Sequence, residues 1–315
     1  MREVPRQWLD NYTDKLNETS EKFQGELRKH LRSIDYSKPV DEWRDVLVGI
    51  MNTYCGSASQ VAAMESAIFY DGLRERVVGA PMGSFAQDGR QAIATEKSVK
   101  AFISKLLDGD YDEFERLCLE RLDYEVKRAA GRCTQYNARR DPYSSEVRWA
   151  RVPTGEETCD FCIMLASRGP VYLSEESAGG DPDHYHPHCD CRIVPFWGTY
   201  DNGTSRRGSS MSIEGYDPDA LYEQYLGFAT DRYRQRMAAA ADRAHGEHGG
   251  SWKSGLSVKD MGTLHNYIAK ATSYEDLIKR VDTVDMGPYY LNDKQWNELL
   301  DSARRKRKEL LKDSK

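Results

Sequence analysis

Four of the seven cysteines and three of the seven histidines in this chain lie between residues 159 and 191. Residues 141–197, which contain this cluster, have too few apolar side chains to bury a hydrophobic core of their own. A metal ion held by thiolates and imidazoles supplies folding free energy directly, on the order of 10 kcal/mol in zinc-finger peptides. The cluster therefore predicts a small module that depends on a structural zinc ion.

The spacing of the cluster suggests which side chains bind the ion. The first half is a Cys-x2-Cys pair, and the second half, 20 or more residues later, contains a His-x2-Cys pair. Tetrahedral zinc takes four ligands, so the candidates exceed the need by at least one. The preferred set is Cys159, Cys162, His186 and Cys189. Cys191 is the alternative sulfur and His188 a competing imidazole, and both alternatives stay open.

Two other chemistries compete with a structural zinc. Disulfides from Cys159 to Cys189 or Cys191 would require an oxidising compartment, which an odd cysteine count and an N-terminus without an apolar signal segment do not indicate. A D-H-x-x-P match at residues 183–187 is similar to the ββα-metal (HNH) nucleases, in which the position of His184 is the general base. Those enzymes typically place a later Asn and a second Cys-x2-Cys well downstream, whereas here His188, Cys189 and Cys191 follow at once and no second Cys-x2-Cys comes after them. We therefore expect no enzyme, with a metal-dependent nuclease as the alternative.

Outside the cluster, the sequence predicts a mainly α-helical protein with a small β-containing zinc module between helical regions. Apolar residues recur at helical spacing over residues 1–140 and again over 216–315. Short strands are expected near 147–153, 170–172 and 192–194 of a module spanning 141–197, with a turn at Cys159–Cys162. Residues 198–215 have the Gly, Ser and Asn content of a flexible linker.

Several boundaries and faces are also predicted. Asp41, either Asp217 or Asp219, and either Asn292 or Asp293 are candidate helix N-caps. The apolar stripe from Trp8 to Leu31 is expected to face the core, with docking on a partner as the other interpretation. The chain has 39% hydrophobic and 30% charged residues and no apolar run long enough to span a bilayer, so no membrane segment is expected.

A basic run near the C-terminus is the candidate nucleic-acid contact. Its members are Arg304, Arg305, Lys306, Arg307 and Lys308. The formal net charge of the whole chain is -6, which argues against a protein that binds nucleic acid over its entire surface. The run fits either a solvated helix end or nonspecific contact with phosphates. No aromatic residues interleave it, so base stacking at this run is not expected.

The run W-x-R-V-P-x-G-x-E-T-C-x-F-C-x-M-L-A-S-R-G-P-V-Y at residues 149–172, followed by Y-H-P-H-C-D-C-R-I-V-P at 185–195, resembles the minor capsid proteins of tailed bacteriophages in the MuF-like head-morphogenesis group. The resemblance implies a virion protein of the capsid interior, associated with the portal and other capsid proteins and assembled in the host cytoplasm. It also implies contact with double-stranded DNA during packaging or ejection. Residues 200–315 carry no such resemblance, and no toxin or ADP-ribosyltransferase site is evident there.

Overall fold

The computed structural model describes residues 2–89, 91–143, 147–155, 158–172, 190–198, 211–248, 255–287 and 289–313. Its described residues form two compact units. Unit 1 contains those of 2–158, 170–198 and 211–216, and unit 2 contains those of 159–169 and 217–313. The segment predicted as one zinc module, 141–197, is thus divided between the units.

Four long helices build most of unit 1. They are α1 (Arg6–Ser33), α2 (Val40–Val78), α3 (Ala92–Leu107) and α4 (Tyr111–Arg140). The predicted stripe on α1 is largely buried, with Leu9, Leu16 and Leu27 at most 1% exposed. Helix α2 places small residues such as Ala62 and Ala63 in the interior, where short side chains permit close packing of helices.

The ends of these helices follow from local chemistry. Proline, which lacks a backbone N–H, precedes both α1 and α2, and Asp41 makes no side-chain cap. Helix α2 ends at Gly79, whose φ of 104° lies in the left-handed region that glycine adopts without a Cβ clash. The Asp110 carboxylate caps α4 by accepting from the backbone N–H of Glu113 at 3.1 Å.

Among the described residues of unit 1, the strands form two small sheets. Strands β2 (Arg148–Pro153) and β3 (Cys191–Phe196) pair antiparallel, and Tyr172 makes an isolated bridge with Trp149, which confirms the predicted positions of β structure in this segment. Strand β1 (Arg2–Val4) pairs in parallel with β4 (Met211–Ile213). The composition of residues 198–215 predicts a flexible linker that includes residues 211–213. They form a strand because Met211 and Ile213 alternate into the interior, at 1% and 4% exposure.

Unit 2 is helical in its described part. It comprises α5 (Asp160–Ala166), α6 (Pro218–His248), α7 (Val258–Ala269), α8 (Tyr274–Met286) and α9 (Asp293–Asp313). Of the alternative caps, Asp217 accepts from the backbone N–H of Asp219, and Asn292 accepts from that of Gln295. The core includes Tyr233 and Trp296, whose rings stack with centroids 4.2 Å apart.

The architecture confirms a mainly α-helical fold with a minor β component. No helix within the described ranges has the length and apolar character needed to cross a bilayer.

Candidate functional site

The Cys-x2-Cys pair lies at the beginning of α5 in unit 2. Cys159 is the N-cap, and its Sγ accepts a hydrogen bond from the backbone N–H of Cys162 at 3.4 Å. The spacing of the two cysteines predicts a turn here. A helix forms instead because the sulfur takes the capping role that a Ser, Thr, Asp or Asn oxygen usually has. This hydrogen bond places the Cys159 sulfur beside the backbone of Cys162, at the N-terminal end of the helix.

The surroundings of this pair hold it firmly in unit 2. Cys159 is exposed, whereas Cys162 is fully buried beside Ile163, a member of the unit 2 core. The carboxylate of Asp160, between the cysteines, pairs with Arg232 of α6 at 2.9 Å. The same guanidinium pairs with Asp285 of α8 at 2.8 Å. Burial raises the pKa of the Asp285 carboxyl, although Arg232 opposes that shift.

Cys191 lies in unit 1, as the first residue of β3. It pairs in register with Pro153 of β2 and is fully buried. The guanidinium of Arg151 donates to its Sγ at 3.3 Å and so places a positive charge beside the sulfur. The third described cysteine of the predicted ligand set is therefore held by the β2–β3 sheet.

Asp190 fixes the chain immediately before Cys191. Its carboxylate accepts from the backbone N–H of Gly155 at 3.2 Å and from the Thr158 hydroxyl at 2.6 Å, both in unit 1. A Cβ at position 155 would lie 2.7 Å from that carboxylate oxygen. Glycine is therefore required at position 155 for the carboxylate to reach the backbone.

The remaining predicted ligands lie outside the described residues. These are His186 and Cys189, with the competing His188 and the nuclease candidate His184. Across the part of the chain that the structure describes, no group of three or more His, Cys, Asp or Glu side chains is arranged to hold a metal ion. The zinc site and the nuclease alternative consequently stay predictions.

Arg307, a member of the predicted basic run, is an interior residue of unit 2. It is 5% exposed, and its guanidinium lies 4.5 Å from the ring centroid of Tyr222. It pairs with Asp219 at 2.5 Å and donates to the backbone carbonyl of Ser167 at 3.1 Å. These contacts link α9 to α6 and to the end of α5, so this cation has a structural role.

The other four members of the run differ in whether their side chains already pair with carboxylates of the protein or could contact phosphates. Arg304 pairs with Glu223 and with Asp301, each at 2.8 Å, and Lys306 pairs with Glu309 at 2.7 Å. Arg305 and Lys308 are exposed, and Arg305 donates to the hydroxyl of Ser302 on its own helix. Surface contact with phosphates would thus rely chiefly on Arg305 and Lys308.

A groove between α1 and α2 in unit 1 is a second candidate site. It has a volume of about 410 Å³ and is lined by Gln7, Trp8, Asn11, Tyr12, Lys15, Glu65, Ile68, Phe69 and Gly72. The rings of Tyr12 and Phe69 stack with centroids 4.1 Å apart, and burial raises the pKa of the Tyr12 hydroxyl. Lys15 and Glu65 pair across the groove at 3.2 Å.

Large apolar side chains in the groove and next to it in sequence are exposed, which the apolar pattern of the sequence does not predict. Trp8 was expected in the core but is 36% exposed, and Ile68 is 61% exposed. Met64, four positions before Ile68 on α2, is 56% exposed. Met64 and Ile68 are four positions apart and therefore lie on one face of α2, whereas the small residues of α2 face α4. This spacing is the sequence signal that could have predicted an exposed apolar face.

Comparison with known proteins places this chain among phage proteins. The family model described as VG15 protein matches residues 3–227. Two relatives are each named "Gene 15 protein", from Mycobacterium phage D29 at 35% identity and from Mycobacterium phage L5 at 33% identity. Each aligned stretch covers 22% of this chain and 36% of the relative, so the chain spans about a third of the length of either protein. No solved structure matches the chain.

Proposed function

We propose, on the premise that this chain belongs to the VG15 protein family, that it is a minor capsid protein of a tailed bacteriophage with a role in head morphogenesis. The family is a phage protein family. In this proposal the protein is associated with the portal, lies inside the capsid and has a structural function. The finer assignment rests on the MuF-like resemblance at residues 149–172 and 185–195.

The observation that supports it best is the structural use of that motif segment. Its described residues form β2, the cap and body of α5, and β3, and the match to the VG15 family spans all of them. A segment that builds framework in both units is what a structural protein requires.

Particles of the phage that encodes the chain provide the test. Quantitative mass spectrometry of purified virions should detect this protein at low copy number, together with the portal protein. Its presence in infected-cell lysate and absence from virions would contradict the proposal.

We assign partner contact to the groove between α1 and α2. Exposed apolar surface of this kind marks protein interaction sites, and Trp8 adds a large aromatic anchor of the type that dominates binding energy. Co-expression with the portal protein should give a complex that Ile68→Asp weakens. Ile93→Asp on α3 is the matched control, because Ile93 is even more exposed, at 72%, and does not line the groove. Equal effects of the two substitutions would reject the groove.

We also propose a structural zinc ion held by four of Cys159, Cys162, His186, Cys189 and Cys191. The Cys159–Cys162 pair fits a metal half-site, because the two cysteines are the N-cap and the third residue of α5 and the backbone N–H of Cys162 already donates to the Cys159 sulfur, as is suitable for a thiolate ligand. Bound zinc would neutralise the negative charge of the thiolates. It would also crosslink the Cys159–Cys162 pair to the ligands supplied by residues 186–191.

Elemental analysis tests the zinc proposal. The purified protein should contain about one zinc per chain, and Cys159→Ser should lower both the zinc content and the melting temperature. Cys118→Ala is the control, because it also removes a thiol, but from a cysteine that is buried in α4 and lies outside the motif. It should reduce stability without changing zinc content. A metal-free wild-type protein that melts identically with and without chelator would refute the proposal.

The exposed cations of α9 are the proposed contacts to double-stranded DNA. Each neutralised phosphate contributes about −0.9 to the slope of log affinity against log salt concentration. Replacing Arg305 and Lys308 together by glutamine should reduce the slope by about 1.8. Arg304, held by Glu223 and Asp301, should contribute little by comparison. An unchanged slope in the double variant would exclude this surface from DNA contact.

A further inference from the structure

The loop between α2 and α3 in unit 1 is held in place by side chains of α2 and α4. The carboxylate of Asp71 accepts from the backbone N–H groups of Met82 and Ser84, at 3.1 and 2.9 Å. The Arg74 guanidinium donates to the Ala80 carbonyl at 2.5 Å, and Arg128 donates to that of Gly89 at 2.7 Å. Hydrogen bonds therefore fix the loop near both of its ends.

The middle of the loop receives a second set of contacts, all of which converge on Phe85. The side-chain amide of Asn137, fully buried in α4, accepts from the Phe85 backbone N–H and donates to its carbonyl, each at 2.9 Å. The Cys133 thiol donates to the same carbonyl at 3.3 Å. Although its backbone is held in this way, the phenyl side chain remains 56% exposed. The loop thus presents a large apolar ring to solvent in a fixed position.

A cation and a second ring lie beside the phenyl group. The guanidinium of Arg140 is 5.3 Å from the ring centroids of both Phe85 and Tyr136. The two rings meet edge to face, with centroids 6.4 Å apart. Arg140 is exposed and has no carboxylate partner within the described residues. Its charge is therefore available to an anion that approaches the rings.

The charge around this aromatic patch is positive. Residues 126–140 of α4 contain five basic residues, Lys127, Arg128, Arg132, Arg139 and Arg140, and no acidic residue. The loop itself, residues 79–89, contains one acidic residue, Asp88. Lys127 and Arg128 pair with Asp123 and Glu125 one turn earlier, so the cation that the patch itself contributes is Arg140 at the C-terminal end of the helix.

We infer that this patch, Phe85 with Tyr136 and Arg140, binds single-stranded nucleic acid. Single strands are recognised where aromatic side chains stack on bases and basic side chains contact the backbone, and arginine adds a cation–π contribution. A duplex hides the faces of its bases within its own stack, so an exposed phenyl ring favours the unpaired strand. The basic run of α9 lacks such rings and suits phosphates alone.

Fluorescence anisotropy with the full chain tests this assignment. The probes are a labelled oligothymidine of about 12 nucleotides and a duplex of equal length. The wild-type protein should bind the single strand more tightly, and Phe85→Ala should weaken that binding roughly tenfold while affecting duplex binding little. Phe85→Tyr retains a ring and should retain affinity. Val46→Ala, which shortens an equally exposed apolar side chain of α2 outside the groove, should have no effect.

A second variant, at Arg140, tests the contribution of the positive charge to binding. Arg140→Gln should weaken single-strand binding and reduce the salt slope by about 0.7, the value expected for one phosphate contact on a single strand. Because Arg140 is on the surface, this variant should keep the wild-type melting temperature even if Phe85→Ala does not. Equal affinity for both probes, or single-strand affinity that survives both Phe85→Ala and Arg140→Gln, overturns the inference. In that case the patch would serve a protein partner instead.

Discussion

Asp141, the residue that follows α4, is the buried acceptor around which part of unit 1 is organised, and its neutralisation gives the sharpest stability test. Its side chain is fully buried. It accepts from Arg74 at 2.9 and 3.1 Å, from Tyr70 at 3.0 Å, from the Trp197 indole at 2.8 Å and from the Tyr143 backbone N–H at 2.9 Å. These donors come from α2, from the residue after β3 and from the loop after α4, so one carboxylate joins three parts of the unit.

The substitution Asp141→Asn should therefore be strongly destabilising. The amide keeps the shape but removes the charge, which leaves the Arg74 guanidinium, itself 7% exposed, without a counter-ion. Loss of one member of a buried ion pair costs about 3–5 kcal/mol. With a urea dependence of about 1–3 kcal/mol per molar, the unfolding midpoint should fall by at least 1 M, measured by circular dichroism.

The same carboxylate predicts a pH dependence. Burial by itself would raise the pKa of Asp141, but the hydrogen bonds from Arg74, Trp197, Tyr143 and Tyr70 outweigh it and lower that pKa. A carboxyl whose pKa is lower in the folded state stabilises the protein above its unfolded pKa, about 3.9, and loses that contribution as the pH falls through the folded value. The stability difference between wild type and Asp141→Asn should thus be constant near neutral pH and shrink below pH 4.

A double-mutant cycle with Arg74→Met decides whether the ion pair is the cause. If it is, the double variant should be less destabilised than the sum of the single variants, because removing both charges leaves no unpaired ion. Additivity within about 0.5 kcal/mol, or a loss below 1 kcal/mol for Asp141→Asn alone, would refute the reasoning.

Three further substitutions test other contacts by their melting temperatures. Gly155→Ala should destabilise by about 1–3 kcal/mol, because the new Cβ would lie 2.7 Å from an Asp190 oxygen, and a wild-type melting temperature would show that the carboxylate moves away freely. Arg307→Met should lower the melting temperature more than Lys308→Met, because only Arg307 is buried, contacts the Tyr222 ring and pairs with Asp219, whose own side chain is 56% exposed; equal losses would contradict its interior position. Ser273→Ala should cost about 1 kcal/mol, since the Ser273 hydroxyl caps α8, whereas Ser273→Asp should preserve stability.

Helix positions were largely predictable from the sequence because they depend on local periodicity. The stripe on α1, the strands at β2 and β3, and the caps at Asp217 and Asn292 all arise from residues a few positions apart. The β1–β4 pair was not predictable in this way. Each strand has three residues, and the partners are separated by about 200 positions, so their pairing depends on tertiary packing rather than on a local pattern.

The candidate site was predictable only in part. Residue types and spacing predict Cys159, Cys162 and Cys191 as candidate metal ligands, which stays a prediction, but they do not indicate that Cys159 caps a helix. Cysteine is not among the residues preferred at the N-cap, so its presence before α5 carries no capping signal. Nor did they indicate that α5 joins the core of one unit while β3 belongs to the other. That division follows from where Ile163 and the residues of β3 are buried, which depends on partners distant in sequence.

The buried position of Arg307 was predictable from the helical spacing of apolar residues on α9, but the run of basic residues suggested a surface position instead. Trp296, Leu299, Leu300 and Ala303 on α9 are all buried, and a helix that buries positions 296, 300 and 303 also turns position 307 toward the core. Extending that stripe by one turn would have placed Arg307 inside, with its charge requiring a partner such as Asp219. The composition of the run makes its five cations look equivalent. The helical geometry distinguishes Arg307, which is in the interior, from the other four. The cationic surface of α9 is consequently smaller than its sequence suggests, and a strong affinity for DNA would need a contribution from elsewhere on the chain.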